Sequence, residues 1–286
     1  MKNQGIEYKV TGEYKRGQIE AYHHSPYANF LNKTKHKVDV MGLKKSEQKN
    51  AITFEAGEYV SKFTIGMEIE KNQFHRSAIY EYELFKGFER DGSCGYEAIT
   101  HVLPLLPAGS WRTKVFDMVY KAERIIDDRY SPSDFRCGGH ITLSAKGLTG
   151  VQLMNAVRDY SGIIYALFRY RLRNTYCGEN KRMDAFYYSS RYQVCLLKDD
   201  RIEFRLPNKF ESVKQVMRRY ELFYELLDFA VNVKGTHSAF LRRVTPIVTS
   251  MYNGDTDKVK EVLSLAVDFQ AYINTGARTE QIERFL

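Results

Sequence analysis

Polar and apolar residues alternate strictly in three separated stretches of the chain. In Phe63-Thr64-Ile65-Gly66-Met67-Glu68-Ile69-Glu70, the residues Phe63, Ile65, Met67 and Ile69 fall on one face of a strand. Glu68 and Glu70 fall on the other, about 7 Å apart at two residues' rise. In His140-Ile141-Thr142-Leu143, Ile141 and Leu143 face one way, His140 and Thr142 the other. In Arg201-Ile202-Glu203-Phe204-Arg205-Leu206, three apolar residues back a face of Arg201, Glu203 and Arg205. A strand showing Arg-Glu-Arg can hold a metal ion and an anion side by side, because a carboxylate ligates hard cations and guanidinium forks grip phosphate.

Between these stretches the pattern predicts further elements. Strands are expected at about 60–70 and 77–86, paired with each other across a turn at 71–73, and at 95–101, where Glu97 lies near the strand start. Pro104, Pro107 and Gly109 then break the chain. Val115, Met118, Val119 and Ala122, then Ile125 and Ile126, recur at helical spacing and predict a helix over 113–128. A long helical stretch starts between Gly147 and Gly150, with Leu153, Val157, Ile164, Leu167 and Phe168 on its core side. A hairpin is expected from 191–197 and 201–206, then helices over 211–233, 237–250 and 256–274. The first 58 residues are polar and weakly periodic, with one short strand at 38–41. They predict an N-terminal extension (1–58) before a main domain (59–286). Strands interrupted by long helices indicate an α+β class, a mostly antiparallel sheet with helices on one face.

Composition narrows the picture. With 43% hydrophobic and 27% charged residues among 286, the chain reads as globular, with enough length for a sizeable core. No run approaches a membrane-spanning length, and the start carries no apolar signal region, so a cytoplasmic protein is expected. Cys94, Cys137, Cys177 and Cys195 are widely spaced without a C-x-x-C, which argues against a structural zinc site or a disulfide framework. Thiol catalysis is disfavoured because Cys137, three residues from His140, would face the other side of a strand. The net charge of +8 fits either an anionic partner or a lysine-rich soluble surface.

The candidate chemistry lies in an ordered set. Gly66-Met67-Glu68-Ile69-Glu70 comes first, then Asp91-Gly92-Ser93 with Glu97 four residues on, then Cys137-Gly138-Gly139-His140, then Arg201-Ile202-Glu203-Phe204-Arg205. Glu68, Glu70, Glu97, His140 and Glu203 make four carboxylates and one imidazole, a donor set that suits Mg²⁺ or Mn²⁺ better than zinc. Asp91 fits a turn role or a substrate contact equally. That order and these residue types resemble the putative amidoligase family, a branch of the glutamine synthetase-like carboxylate–amine ligases, over roughly residues 60–230.

The resemblance implies a glutamine synthetase catalytic-domain-like fold and use of ATP with two or three divalent ions. It implies that Glu68, His140 and Glu203 hold the ion nearest the ATP phosphates, and Glu70 and Glu97 the ion nearer the acyl substrate. Arg205 would grip the γ-phosphate, and Arg191 would add a second contact. The substrates would be a small-molecule or peptide carboxylate and an amine, joined through an acyl phosphate. Family relatives often lie in phage or bacterial gene neighbourhoods for peptide tagging or cell-wall modification. The chain departs from glutamine synthetases in showing only Glu97 where they place several acids, and in lacking their ammonium-site loops. A nucleic-acid-binding protein or metal-dependent nuclease is the alternative, motivated by the charge, Arg169–Arg173 and 21 tyrosines. No recognised binding module supports it.

Overall fold

A computed structural model describes residues 7–10, 52–55, 63–75, 84–100, 102–178, 181–183, 192–275, 282–283 and 285–286. The expected strand at 38–41 and Arg191 lie outside them, as does most of the strand expected at 77–86. The chain divides into two compact bodies, Met1–Lys146 with Lys209–Met217, and Gly147–Asn208 with Arg218–Leu286.

The first body is built on β-structure. Glu7–Val10 (β1) pairs antiparallel with Ile52–Glu55 (β2). The larger ladder contains Phe63–Lys71 (β3), Phe85–Asp91 (β4), Gly95–Thr100 (β5), Leu103–Leu105 (β6) and Gly139–Ala145 (β7), in the order β4-β5-β3-β7 with β6 also on β3. Every pairing in it is antiparallel. The apolar face of β3 is buried as its alternation predicts, and Ile65 and Met67 lie across from Leu143 and Ile141 of β7.

Two features depart from the expected pattern. β3 does not pair with its sequence neighbour β4. Its partner on that side is β5, and β4 pairs with β5 in turn. The turn after β3 is tied elsewhere, since the Asn72 amide donates to the Pro132 carbonyl (2.9 Å). The expected helix over 113–128 starts earlier and breaks at Ala122, giving Ser110–Lys121 (α1) and Glu123–Ile126 (α2). The Ala122 amide is shared between the Met118 and Val119 carbonyls, which tightens that turn.

Lys71 ends the apolar face of β3 and is fully buried. Its Nζ donates to Asp128 Oδ1 (2.6 Å) and to the Phe210 carbonyl (2.7 Å). Burial lowers its pKa, against the opposing pull of Asp128. Asp128 also accepts from Lys209 (3.0 Å), whose Nζ reaches the Ser133 carbonyl (2.9 Å). This network anchors the segment that leads into β7.

The second body is mostly helical. Gly150–Arg158 (α3) opens with a capping box, in which Thr149 Oγ1 accepts the Gln152 amide (3.2 Å) and Gln152 Oε1 accepts the Thr149 amide (2.9 Å). The single long helix expected here is cut, and Gly162–Leu167 (α4) follows after a kink. The reason lies in the last long helix. After the short Thr175–Gly178 (α5) come Val213–Asp228 (α6), whose Val213–Met217 part belongs to the first body, His237–Met251 (α7) and Thr256–Thr275 (α8). Gln270 of α8 accepts the Gly162 amide (2.9 Å) and donates to the Arg158 carbonyl (3.0 Å), satisfying the backbone at the break. A Cβ at Gly162 would stand 2.3 Å from the Ala266 carbonyl, so only glycine permits the close approach of α4 to α8. The expected helix over 211–233 is α6, extended by a π-turn over Phe229–Val233 and stopped by left-handed Lys234. The hairpin Cys195–Leu197 (β8) and Ile202–Phe204 (β9) is shorter than expected. Among the described residues no helix is long and apolar enough to cross a membrane.

The Lys71 anchor is testable. Lys71→Met should lower stability by about 2–3 kcal/mol in urea unfolding, below the ~3–5 kcal/mol of a fully orphaned buried charge, because Asp128 keeps Lys209. An unchanged midpoint would show that the anchor does not stabilise the fold.

Candidate metal centre

Antiparallel register brings the acidic face of β3 against two neighbours. Glu68 lies directly across from His140 of β7, and Glu70 directly across from Glu97 of β5. Because both glutamates are two apart on one strand, both pairs form on the same face. That face is not wet. Glu68 and Glu70 are only 6% and 4% exposed, and His140 6%.

His140 stands between the two carboxylates. Its Nδ1 is 2.9 Å from Glu68 Oε2, and its Nε2 is 3.4 Å from Glu70 Oε1. A neutral imidazole has one N–H to give and one lone pair. One carboxylate therefore faces a lone pair unless a cation takes it or the ring is protonated. Glu70 gains one further donor, the Gly138 amide, on its Oε2. Glu97, half-buried, adds a third carboxylate in register with Glu70. Like charges directly opposite repel. A hard divalent cation with oxygen and imidazole donors relieves that repulsion. The donor set therefore fits Mg²⁺ or Mn²⁺.

The turn before β5 is organised by Asp91. Its Oδ1 accepts from the Ser93 amide (2.6 Å), the Ser93 hydroxyl and the Cys94 amide (3.1 Å). Burial alone would raise the Asp91 pKa, but those hydrogen bonds outweigh it and hold the carboxyl below its ordinary value. Gly95 follows with φ 117°, in the left-handed half of the map that a side chain disfavours, and a Cβ there would also meet the Asn72 carbonyl at 2.8 Å. Asp91 thus shapes the entry to the strand that carries Glu97.

The segment before β7 is held as firmly. Asn72 Nδ2 donates to Asp134 Oδ2 (3.1 Å) and to the Cys94 carbonyl (3.3 Å). Asp134 is pulled down to about 2 by hydrogen bonds from Arg136. These contacts place Gly138 where its amide meets Glu70. Of the neighbouring thiols, Cys94 Sγ donates to the Tyr96 carbonyl (3.5 Å) and Cys137 Sγ to Asn72 Oδ1 (3.9 Å).

In the second body, Glu203 lies across from Leu196 in the hairpin and is buried. Its Oε1 accepts from Arg205 Nη1 (2.6 Å). The Arg205 amide bonds to the Val194 carbonyl (2.9 Å), which fixes the backbone just past β9. Arg201 turns away to Asp200 (2.6 Å). Each body thus carries part of the expected set: Glu68, Glu70, Glu97 and His140 in the first, Glu203 and Arg205 in the second.

One acidic position escaped sequence reading. Glu89 of β4 lies in backbone register with Glu97. The strand expected there was read to end at 86, so it did not reach Glu89.

No family model matches the chain, and no curated protein matches it. Among solved structures, the chain is similar to apo GmaS without ligand, with 10% identity and a TM-score of 0.33, over 79% of this chain and 72% of that one. A likeness at that score carries no argument about the chemistry.

The charge argument predicts a divalent-ion response. Mn²⁺ at a hundred times its Kd should stabilise the protein by about 2.7 kcal/mol, seen as a raised Tm that a chelator reverses. Glu70→Gln should weaken Mn²⁺ at least tenfold, about 1.4 kcal/mol, by calorimetry or electron paramagnetic resonance. Without the ion the same variant should be as stable as the parent or more so, because a buried repulsion is relieved. A metal-free Glu70→Gln protein less stable than its parent would contradict the argument.

Proposed function

We propose that the chain is an ATP-dependent carboxylate–amine ligase, making an amide or isopeptide bond through an acyl phosphate. The observation that carries this reading is the buried carboxylate pair Glu68 and Glu70 around His140, a site whose charge calls for divalent cations. Its direction comes from the four ordered motifs and their resemblance to the amidoligase family. In this reading residues 59–286 form the catalytic unit and 1–58 an extension.

The residues divide the work. On the family resemblance, Glu68, His140 and Glu203 are the ligands of the ion that neutralises the ATP phosphates. Glu70 and Glu97 hold the ion nearer the acyl substrate. When bound, Mg²⁺ or Mn²⁺ supplies charge neutralisation and alignment of phosphate oxygens. Arg205, already oriented by Glu203, grips the γ-phosphate with a guanidinium fork, as phosphoryl transfer rests on positioning and electrostatics. Arg191 adds a second phosphate contact. Asp91 is proposed to act at the substrate end of the site through the turn that it shapes.

The chemistry proceeds in two balanced steps. A substrate carboxylate oxygen attacks the γ-phosphorus and ADP leaves, giving an acyl phosphate. An amine nitrogen then attacks the acyl carbon, phosphate departs, and the amine loses a proton. Activation is necessary because an amine cannot displace an oxide from a carboxylate. Burial of the carboxylate face protects the acyl phosphate from water.

The test is release of ADP and phosphate from ATP with Mg²⁺ or Mn²⁺, in the presence of pooled amino acids, polyamines and acidic peptides. Release should require a carboxylate and an amine together. Glu203→Gln and Glu70→Ala should each cut it at least ~10³-fold, and Arg205→Lys by about 10²-fold through loss of the fork. Turnover retained in both glutamate variants would refute the ligase reading. Metal-dependent cleavage of nucleic acid with no response to ATP would replace it with the nuclease reading.

A further inference from the structure

Thr142 of β7 lies directly across from Gly66 of β3, on the strand face that carries the Glu68–His140 pair one step further along. Thr142 is buried, at 5% exposure, and its hydroxyl has no hydrogen-bond partner among the described residues. The next hydroxyls on that face are satisfied, since Thr64 and Ser144 bond to each other. A buried hydroxyl left unpaired is destabilising, and one beside an ion site is suited to an oxygen bound to the ion. Gly66 carries a second, separate signal. It is buried within β3 in extended backbone without a positive φ, so its conformation does not call for glycine. Glycine inside a strand gives up packing and marks places where another group comes close. Here the missing side chain leaves a notch beside Thr142. The Thr64–Ser144 pair borders it on one side and the Glu68–His140 pair on the other.

We propose, on the divalent-ion reading of Glu68 and His140, that Gly66 and Thr142 seat a water bound to that ion, with Thr142 as its positioning residue. Mg²⁺ is octahedral and keeps several waters when few side chains bind it. Adjacent pairs on one strand face are about 7 Å apart, a span that an ion and its water fill. Water on a divalent cation is a strengthened donor, because the cation draws charge from its oxygen. The threonine oxygen accepts that hydrogen bond. Gly66 supplies the room, since a Cβ there would project from the same face. An outer partner of this kind orients the ion's ligands and raises its affinity. Valine has the shape of threonine without the oxygen, so it separates this role from strand packing. Serine keeps the oxygen and drops the methyl group.

The experiment uses the full chain with Mn²⁺ as the probe. Affinity is read by electron paramagnetic resonance, and ion-bound water by the relaxation of solvent protons. Thr142→Val should weaken Mn²⁺ about tenfold, the scale of a lost outer partner, and lower the relaxation enhancement. Thr142→Ser should bind Mn²⁺ like the parent. Gly66→Ala should lower the relaxation enhancement by filling the notch. Without Mn²⁺, Thr142→Val should melt at the parent's temperature or above, because it removes an unpaired buried hydroxyl. If Thr142→Val or Gly66→Ala leaves affinity and relaxation unchanged, or if Thr142→Ser weakens Mn²⁺ as much as valine does, the proposal fails while the metal centre stands. A metal-free Thr142→Val protein that melts lower also refutes it, because the hydroxyl then has a partner within the protein. A parent that binds no Mn²⁺ removes the metal centre, and this water with it. None of these readouts depends on ligase activity.

Discussion

Burial of two carboxylates on one strand face is the constraint from which the rest of the first body follows. Carboxylates are tolerated away from water only when something compensates them. β3 buries Ile65, Met67 and Ile69 on one side and Glu68 and Glu70 on the other, so it has no face to give to solvent. Its neighbours must then supply both an apolar core and polar partners. β7 does both through the same alternation, with Ile141 and Leu143 for the core and His140 for the glutamates. β5 adds a further carboxylate instead of a donor, which raises the demand for a cation.

The scaffold around this face is polar where the demand is greatest. Lys71 continues the apolar row of β3 but ends it with a charge, and that charge reaches Asp128 and a main-chain carbonyl. One residue on, Asn72 serves two segments at once through its amide and side chain. These two residues hold the 128–138 segment, which delivers the Gly138 amide to Glu70. The strand end is therefore rigid because its side chains are used up, and the site inherits that rigidity. Such a shell is what a preorganised ion site requires.

Much of the candidate site was legible in the sequence, because period-two alternation names both the strand and the face. Glu68, Glu70, Glu97 and His140 were all readable that way. Register was not. That Glu68 faces His140 and Glu70 faces Glu97 depends on how far each strand slides, which turn chemistry and long-range contacts decide. The described strand after β3, Phe85–Asp91, pairs with β5, and most of the 77–86 stretch expected to form a hairpin with β3 lies outside the described residues. Residues 71–73 look like a hairpin turn in isolation, but Asn72 is committed to Pro132 and Asp134. The helix over 147–168 reads as continuous because Val157 and Ile164 keep the apolar spacing. Its kink is set by Gln270, more than a hundred residues away.

The cysteines show the same limit from the other side. Alternation placed Cys137 on the strand face opposite His140, which assumes that the strand already includes residue 137. β7 begins at Gly139, so that parity does not apply. Cys137 belongs instead to the turn that Asp134 and Asn72 hold. A face argument holds only inside a strand, whereas contacts between turns depend on which side chains bridge them. Here the bridge is Asn72, the residue just past the end of β3.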